Sequence, residues 1–179
     1  MAAVSLSYNH NDESVQCCQY QDILRQAMSE SELKLANAPI VEAVIDIDCD
    51  MPLGFDLAAL VIECSEPDWD GAGANALDVS AVLNAQNFIR ALPADIPMPD
   101  LAPDPDGSIS LDWIQSQHRL FSVSVGPGAR IAYAWLDGGE RGHAVAPFDG
   151  DTIPARVIEG IRGIMHHGKT TVQPCQHCR

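Results

Sequence analysis

Histidine and cysteine residues cluster in the last stretch of the sequence, MHHGKTTVQPCQHCR. Cys175 and Cys178 have Cys-x-x-Cys spacing, and His166 and His167 precede them by a few residues. Thiolate and imidazole groups are the usual ligands of tetrahedral zinc, so these four side chains are candidate zinc ligands. No second Cys-x-x-Cys pair accompanies this one. A tail with free thiols is therefore the alternative, and no other cofactor is expected.

The stretch WDGAGA, from Trp69 to Ala74, has the glycine spacing of a loop that binds phosphate. Such a loop needs glycines for close backbone approach, a helix N-terminus and usually a lysine. Gly71 and Gly73 precede a predicted helix, but no lysine is present and Asp70 is one of three nearby acids. Those carboxylates would repel a phosphate and occupy the helix N-terminus themselves. The sequence therefore favours a structural interpretation, in which Trp69 anchors a glycine bend.

Asp46, Asp48 and Asp50 form an Asp-x-Asp-x-Asp pattern on one face of a predicted strand. Clustered oxygen ligands suit calcium or magnesium, but the glycine and glutamate of a calcium-binding loop are missing at the required offsets. An exposed acidic strand face, which discourages pairing with other strands, is the favoured interpretation.

His143 lies in a predicted loop, GGERGH, where it could carry out acid–base chemistry with Glu140. No serine or cysteine nucleophile stands out beside it, so an ordinary surface histidine is the simpler interpretation. An enzyme would need a pocket between the WDGAGA and PDPDG turns. That hypothesis predicts that Asp70, Asp106 and His143 converge in space.

The charge of the chain limits its partners. The 179 residues carry a formal net charge of −15, which makes direct binding to nucleic acid or to an anionic membrane unfavourable. High solubility and docking onto a basic protein partner are the two remaining explanations. No apolar run approaches the roughly 20 residues of a membrane helix, and the N-terminus does not resemble a secretory signal. We expect a cytoplasmic protein with reduced cysteines.

Four segments are predicted along the chain. Residues 1–36 are mostly polar and form an extension, and residues 37–64 contain a strand and a short helix that Asp56 caps. Residues 65–165 form the main domain, and residues 166–179 form the tail with Cys and His residues.

The main domain is predicted to have an α+β fold. Helical spacing follows Asp78, a candidate N-cap, and a second helix is predicted to begin near Thr152. Between them, SISLDW, RLFSVSV and RIAYAWL alternate with a period of two, which predicts three strands. The stretch DGGERGHAVAPF is a candidate for a turn and a short fourth strand. We expect an antiparallel meander of three or four strands with helices on one face. The small Ala132 and Ala134 suggest that the RIAYAWL strand is covered on both sides.

Two parts of the chain resemble bacterial families. Residues 28–62, with NAPIVEAVIDIDCDMPLGFDLAAL, resemble the start of a sporadically distributed family that has a NAPIVEAV motif and no characterised function. Residues 65–165 resemble a second, small family of unknown function with a WDGxGA…PxPDGxIxLxW signature. The residues that carry this signature are Trp69, Asp70, Gly71, Gly73, Ala74, Pro105, Asp106, Gly107, Leu111 and Trp113.

The second resemblance implies an accessory role, because genes of this kind are scattered among genomes and mobile regions, and it supplies no catalytic residues. With the acidic charge, it favours a non-enzymatic protein-binding factor of the antitoxin, immunity or phage-defence kind. The alternatives are an enzyme or enzyme subunit with a pocket between the two turns, and a zinc-stabilised module. The sequence does not indicate an oligomeric state.

Overall fold

The computed structural model describes residues 53–166, in which three helices pack beside one five-stranded antiparallel sheet. The α+β class and the meander predicted from the sequence are confirmed. In chain order the elements are α1 (Gly54–Glu63), α2 (Val79–Arg90), β1 (Asp100–Pro103), β2 (Ile109–Ser116), β3 (Arg119–Val125), β4 (Arg130–Asp137), β5 (Glu140–Pro147) and α3 (Ala155–His166).

The strands follow one another across the sheet in the order β1-β2-β3-β4-β5. The sequence predicted three or four strands, and β1 is the additional one. It lies in a proline-rich passage, PADIPMPDLAPDPDG, and Leu101 pairs with Leu111 of β2. Pro103 is tolerated because β1 is an edge strand, where a missing N–H costs no hydrogen bond within the sheet.

The two faces of the sheet differ in burial. Leu111, Val123 and Tyr133 lie in register on the face that the helices cover, and all three are buried. The opposite face has small side chains near its centre, among them Ser122, Ala132 and Ala134. Ala132 and Ala134 on that face are exposed, so the expectation that β4 is covered on both sides is wrong. Alanine is small enough for either environment, so its presence did not indicate whether a second layer covers the strand.

The helices begin close to the predicted positions, with two corrections. Asp78 caps α2 as predicted, because its side chain accepts hydrogen bonds from the N–H groups of Ser80 and Ala81. Asp56 does not cap α1; it lies in the first turn, after Leu53. The second helix was predicted from Thr152, but α3 begins at Ala155.

Helix α1 shares the core of the main domain. Leu57, Val61 and Cys64 are buried in the same apolar cluster as Phe88 of α2 and Trp113 of β2. Each buried aliphatic side chain contributes about 1.5–3 kcal/mol relative to an exposed one. This shared burial holds α1 against the sheet.

Some predicted segments lie outside the described residues: all of residues 1–36, the Asp-x-Asp-x-Asp strand, and the tail beyond His166. Within residues 53–166, no helix is long and apolar enough to cross a membrane.

Candidate functional site

The WDGAGA loop is closed by its own carboxylates. Asp70 Oδ1 accepts hydrogen bonds from the backbone N–H groups of Ala72 at 2.8 Å and Ala74 at 3.1 Å. Asp68 Oδ1 accepts from the N–H of Gly73 at 2.8 Å. These donors lower the pKa of Asp70, so its carboxylate is ionised at neutral pH. The N–H groups that a phosphate would need are therefore already occupied by Asp68 and Asp70.

Helix α2 does not begin at this loop. It starts at Val79, and extended residues separate it from Ala74. Trp69 packs against the core, and its indole N–H donates to the carbonyl of Asn75 at 2.8 Å. This position agrees with the interpretation of Trp69 as an anchor for a glycine bend.

The WDGAGA and PDPDG motifs belong to one structural unit. The N–H of Asn75 donates to the carbonyl of Pro105 at 2.9 Å, and the N–H of Asp78 donates to that of Gly107 at 3.0 Å. Gly107 has a φ of +89°, and a Cβ there would lie 2.8 Å from the carbonyl oxygen of Ala76. Only glycine fits this contact without strain. The two turns are therefore packed together by their backbones.

The remaining signature residues also have structural roles, in the core or in the backbone of the turns. Leu111 and Trp113 lie on β2 in the core, and the Trp113 indole donates to the carbonyl of Pro97 at 2.7 Å. Gly71 has a φ of +70° and Gly73 a φ of +93°, which glycine adopts without the strain that another residue would have.

A cluster of serine hydroxyls around two carboxylates was not predicted. Asp104 accepts hydrogen bonds from the hydroxyls of Ser110 and Ser124 at 2.9 Å each, and from Ser108 at 3.1 Å. Asp106 accepts from both the N–H and the hydroxyl of Ser108, which lowers the pKa of Asp106. The alternating serines of β2 and β3 were visible in the sequence, but the position of Asp104 depends on the β1–β2 pairing.

This cluster contains no histidine or lysine, and the serine hydroxyls donate to carboxylates. The hydrogen bonds that Asp106 accepts from Ser108 lower its pKa, so its carboxylate is a weak general base for activating a hydroxyl. Ser108 is 5% exposed and is held between Asp104 and Asp106. The arrangement fixes the β1–β2 turn against β3.

His143 lies in β5 rather than in a loop, opposite Ala134. Asp106 lies in the turn before β2, and three strand spacings separate β2 from β5. At the usual spacing this is about 14 Å, beyond reach through a bridging water. Asp70 and Asp106 belong to neighbouring turns, but His143 does not join them. The convergence predicted by the enzyme hypothesis is therefore not present.

The candidate zinc ligands are only partly described. His166 is exposed at the end of α3, and His167, Cys175 and Cys178 lie outside the described residues. Within residues 53–166, no group of three or more His, Cys, Asp and Glu side chains could hold a metal ion. Cys64 is buried, and its burial, followed by the nearby charge of Glu63, raises the pKa of the thiol.

A groove of about 480 Å³ opens between α3 and strands β3 to β5, on the covered face of the sheet. We name it the aromatic groove because Phe121, Tyr133 and Trp135 line it. The Phe121 and Tyr133 rings are stacked with centroids 5.7 Å apart, and those of Tyr133 and Trp135 are 6.1 Å apart. Asp137, Glu140 and Arg156 are the charged residues that line the groove.

Comparisons with known proteins show no family for this chain. No protein-family model matches it, and no solved structure matches it. Tyrosine-protein phosphatase 2 of Saccharomyces cerevisiae is 31% identical over 111 residues, which cover 52% of this chain and 15% of the phosphatase. The chain thus spans about 15% of the length of the curated relative that it matches.

Proposed function

We propose that this protein is a non-enzymatic, cytoplasmic factor that binds a protein with a basic surface, in the manner of an antitoxin, an immunity protein or a phage-defence accessory factor. The observation that carries the proposal is the charge of the residues that the structure describes. Residues 53–166 contain sixteen Asp and Glu side chains against six arginines and no lysine. This balance attracts basic surfaces and repels phosphate groups, which favours a protein partner over nucleic acid or an anionic membrane.

The two signature turns support a role without catalysis. Asp70 and Asp106 accept hydrogen bonds from neighbouring backbone and serine groups, and Gly107 allows the turns to pack together. These contacts give the signature residues structural roles in the fold. The accessory role implied by the family resemblance is therefore part of our proposal for this protein.

An enzymatic function is the less favoured candidate, including one related to the tyrosine-protein phosphatase. Covalent catalysis needs an activated nucleophile. The Cys64 thiol is buried and its pKa is raised, which favours the unreactive protonated form. The Ser108 hydroxyl donates to carboxylates. Neither of these two side chains is therefore set up as an activated nucleophile.

We place part of the partner contact on the exposed face of the sheet. Ile114 is 57% exposed and Val145 is 51% exposed, and the small Ser122, Ala132 and Ala134 lie on the strands between them. Small side chains let a partner approach the strands closely, and exposed aliphatic groups gain free energy when a partner covers them.

The proposal is tested by purifying the protein from its native host, identifying the proteins that accompany it, and measuring the affinity with purified components. We expect the affinity to fall as salt is raised, because opposite charges are screened. Val145→Lys should weaken binding, since it places a cation on the contact face. Leu83→Lys is the matched control, because Leu83 is 41% exposed on α2 and lies away from that face.

Two results would overturn the proposal. One is hydrolysis of an aryl phosphate or another substrate by the purified chain, with no protein partner recovered. The other is binding that is equally weakened by Val145→Lys and Leu83→Lys, which would remove the exposed face from the interface.

A zinc-stabilised tail remains a separate proposal, which rests on the spacing of Cys175 and Cys178 and on nearby His166 and His167. Metal analysis of the purified protein should find about one zinc per chain. Changing Cys175 and Cys178 to Ser should abolish it. A chain that carries no zinc when purified with zinc present would refute this site.

A further inference from the structure

We propose that the aromatic groove binds an arginine side chain of the basic partner. The inference rests on the proposed function, and it names the chemical group that this site recognises. It is carried by the stacked rings, by two polar groups without protein partners, and by the acidic residues at the rim.

The floor of the groove is a row of three aromatic rings on two neighbouring strands. Phe121 of β3 stacks on Tyr133 of β4, and Tyr133 stacks on Trp135. Gly142 of β5 lies under Trp135, where a Cβ would come within 2.2 Å of the indole ring. The absence of a side chain at Gly142 therefore lets the indole lie over β5.

Glycines of α3 shape the opposite wall. A Cβ on Gly160 would lie 2.3 Å from the Phe121 ring, so this glycine allows the helix to approach the sheet. A Cβ on Gly163 would meet nothing within 4 Å. The groove is thus closed beside Phe121 and open beside Gly163, which leaves space for a side chain from outside.

Two hydrogen-bonding groups in this groove lack protein partners. Tyr133 is 7% exposed, and its hydroxyl makes no hydrogen bond to any residue from 53 to 166. Fully buried side-chain polar atoms in the described part all have partners, so this hydroxyl is not fully buried, and Tyr133 lines the groove. The Trp135 indole N–H is also without an acceptor there, whereas those of Trp69 and Trp113 donate to backbone carbonyls. Such groups are normally satisfied by water or by a ligand.

The rim of the groove carries charges of both signs, and Glu140 is the carboxylate there that is open to a cation. Asp137 already pairs with Arg119 at 2.8 Å, but Glu140 makes no salt bridge within the described part of the chain. Arg156 lies on the helix wall, and the surrounding domain has a large excess of acids. Aromatic faces attract cations, and the planar guanidinium group can stack on an indole while its N–H groups donate to a carboxylate and to a tyrosine oxygen. A lysine ammonium group cannot stack in this way.

The test uses the three tryptophans of the full chain as reporters. In ¹⁵N-labelled protein each indole N–H gives one NMR signal, and Trp135→Phe identifies the signal of Trp135. The probe is N-acetyl-arginine amide, and N-acetyl-citrulline amide is its neutral isostere. We expect the arginine probe to shift the Trp135 signal in a saturable way and to leave those of Trp69 and Trp113 unchanged. The citrulline probe should bind roughly three- to thirty-fold more weakly.

A pair of variants tests the role of charge. Glu140→Gln should weaken binding of the arginine probe by roughly two- to five-fold, because it removes the unpaired carboxylate at the rim. Glu66→Gln removes the same charge from an exposed loop outside the groove, and it should leave the affinity unchanged. Equal shifts with arginine and citrulline, or no shift of the Trp135 signal, would overturn the inference.

The inference and the proposed function fail separately. If a partner protein binds with the same affinity to wild-type and Glu140→Gln protein, and the arginine probe does not shift the Trp135 signal, the groove assignment is wrong while the binding function stands. If the probe binds as expected but no partner protein is recovered, the groove assignment stands and the proposed function is wrong.

Discussion

Replacing Gly107 with alanine should separate the WDGAGA and PDPDG turns. The residue has a φ of +89°, where an alanine is strained by about 1–2 kcal/mol. Its Cβ would also lie 2.8 Å from the Ala76 carbonyl oxygen, and relief of that contact would break the hydrogen bond from the Asp78 N–H, at a cost of about 1 kcal/mol. We expect a total loss of about 2–3 kcal/mol, and a melting temperature lower by roughly 4–12 °C.

Two other glycines provide matched controls for thermal unfolding followed by circular dichroism. Gly71 has a φ of +70° and no atom within 4 Å of an added Cβ, so Gly71→Ala should cost only about 1 kcal/mol. Gly128 has neither constraint, and Gly128→Ala should be neutral or stabilising by up to about 1 kcal/mol. If Gly107→Ala lowers stability no more than Gly71→Ala does, the close contact between the two turns is refuted.

Two further predictions concern carboxylates that accept backbone hydrogen bonds. Asp78→Ala should lower the free energy of unfolding, measured by urea denaturation, by about 1 kcal/mol, because α2 loses its N-cap. Asp78→Asn keeps a capping side chain and should be nearly as stable as wild type. Equal losses of stability in the two variants would contradict capping by Asp78. The second prediction rests on the pKa of Asp106, which is lower in the folded protein than in the unfolded chain. The ionised carboxylate therefore stabilises the fold fully above the unfolded pKa of about 3.9, and this stabilisation is lost as the pH falls through the lower folded pKa. The stability difference between wild type and Asp106→Asn should therefore shrink below about pH 4 in urea titrations, and a difference that grows there would contradict the assignment.

The fold class was predictable because alternation marks the strands and helical spacing marks α2. Ile109, Leu111 and Trp113 alternate with polar residues, and each is buried. Strand β1 was missed because it has only four residues, ends in Pro103, and owes its conformation to pairing with β2. A short edge strand of this kind has little pattern of its own. Its assignment needs the partner strand, which the local sequence does not identify.

The candidate sites were harder to predict, because each depends on contacts between distant parts of the chain. Asp104 joins serines of β2 and β3, and His143 lies on the strand farthest from β1. The strings RLFSVSV and RIAYAWL predicted strands but no groove. The groove arises because the Trp135 indole lies over Gly142 and because Gly163 leaves space beside the rings, and glycine in a strand or helix does not by itself indicate such an arrangement.

The paired turns and the aromatic groove differ in whether their polar groups are available to a binding partner. The signature turns use their carboxylates, amides and glycines to hold one another, so a ligand that displaced these contacts would have to break the fold locally. The groove lies beside the opposite end of β4, near Asp137 and Glu140, where Tyr133 and Trp135 keep polar groups free. A partner can satisfy those groups without disturbing any internal hydrogen bond. Recognition at the groove is therefore compatible with a rigid domain, whereas recognition at the signature turns would require rearrangement.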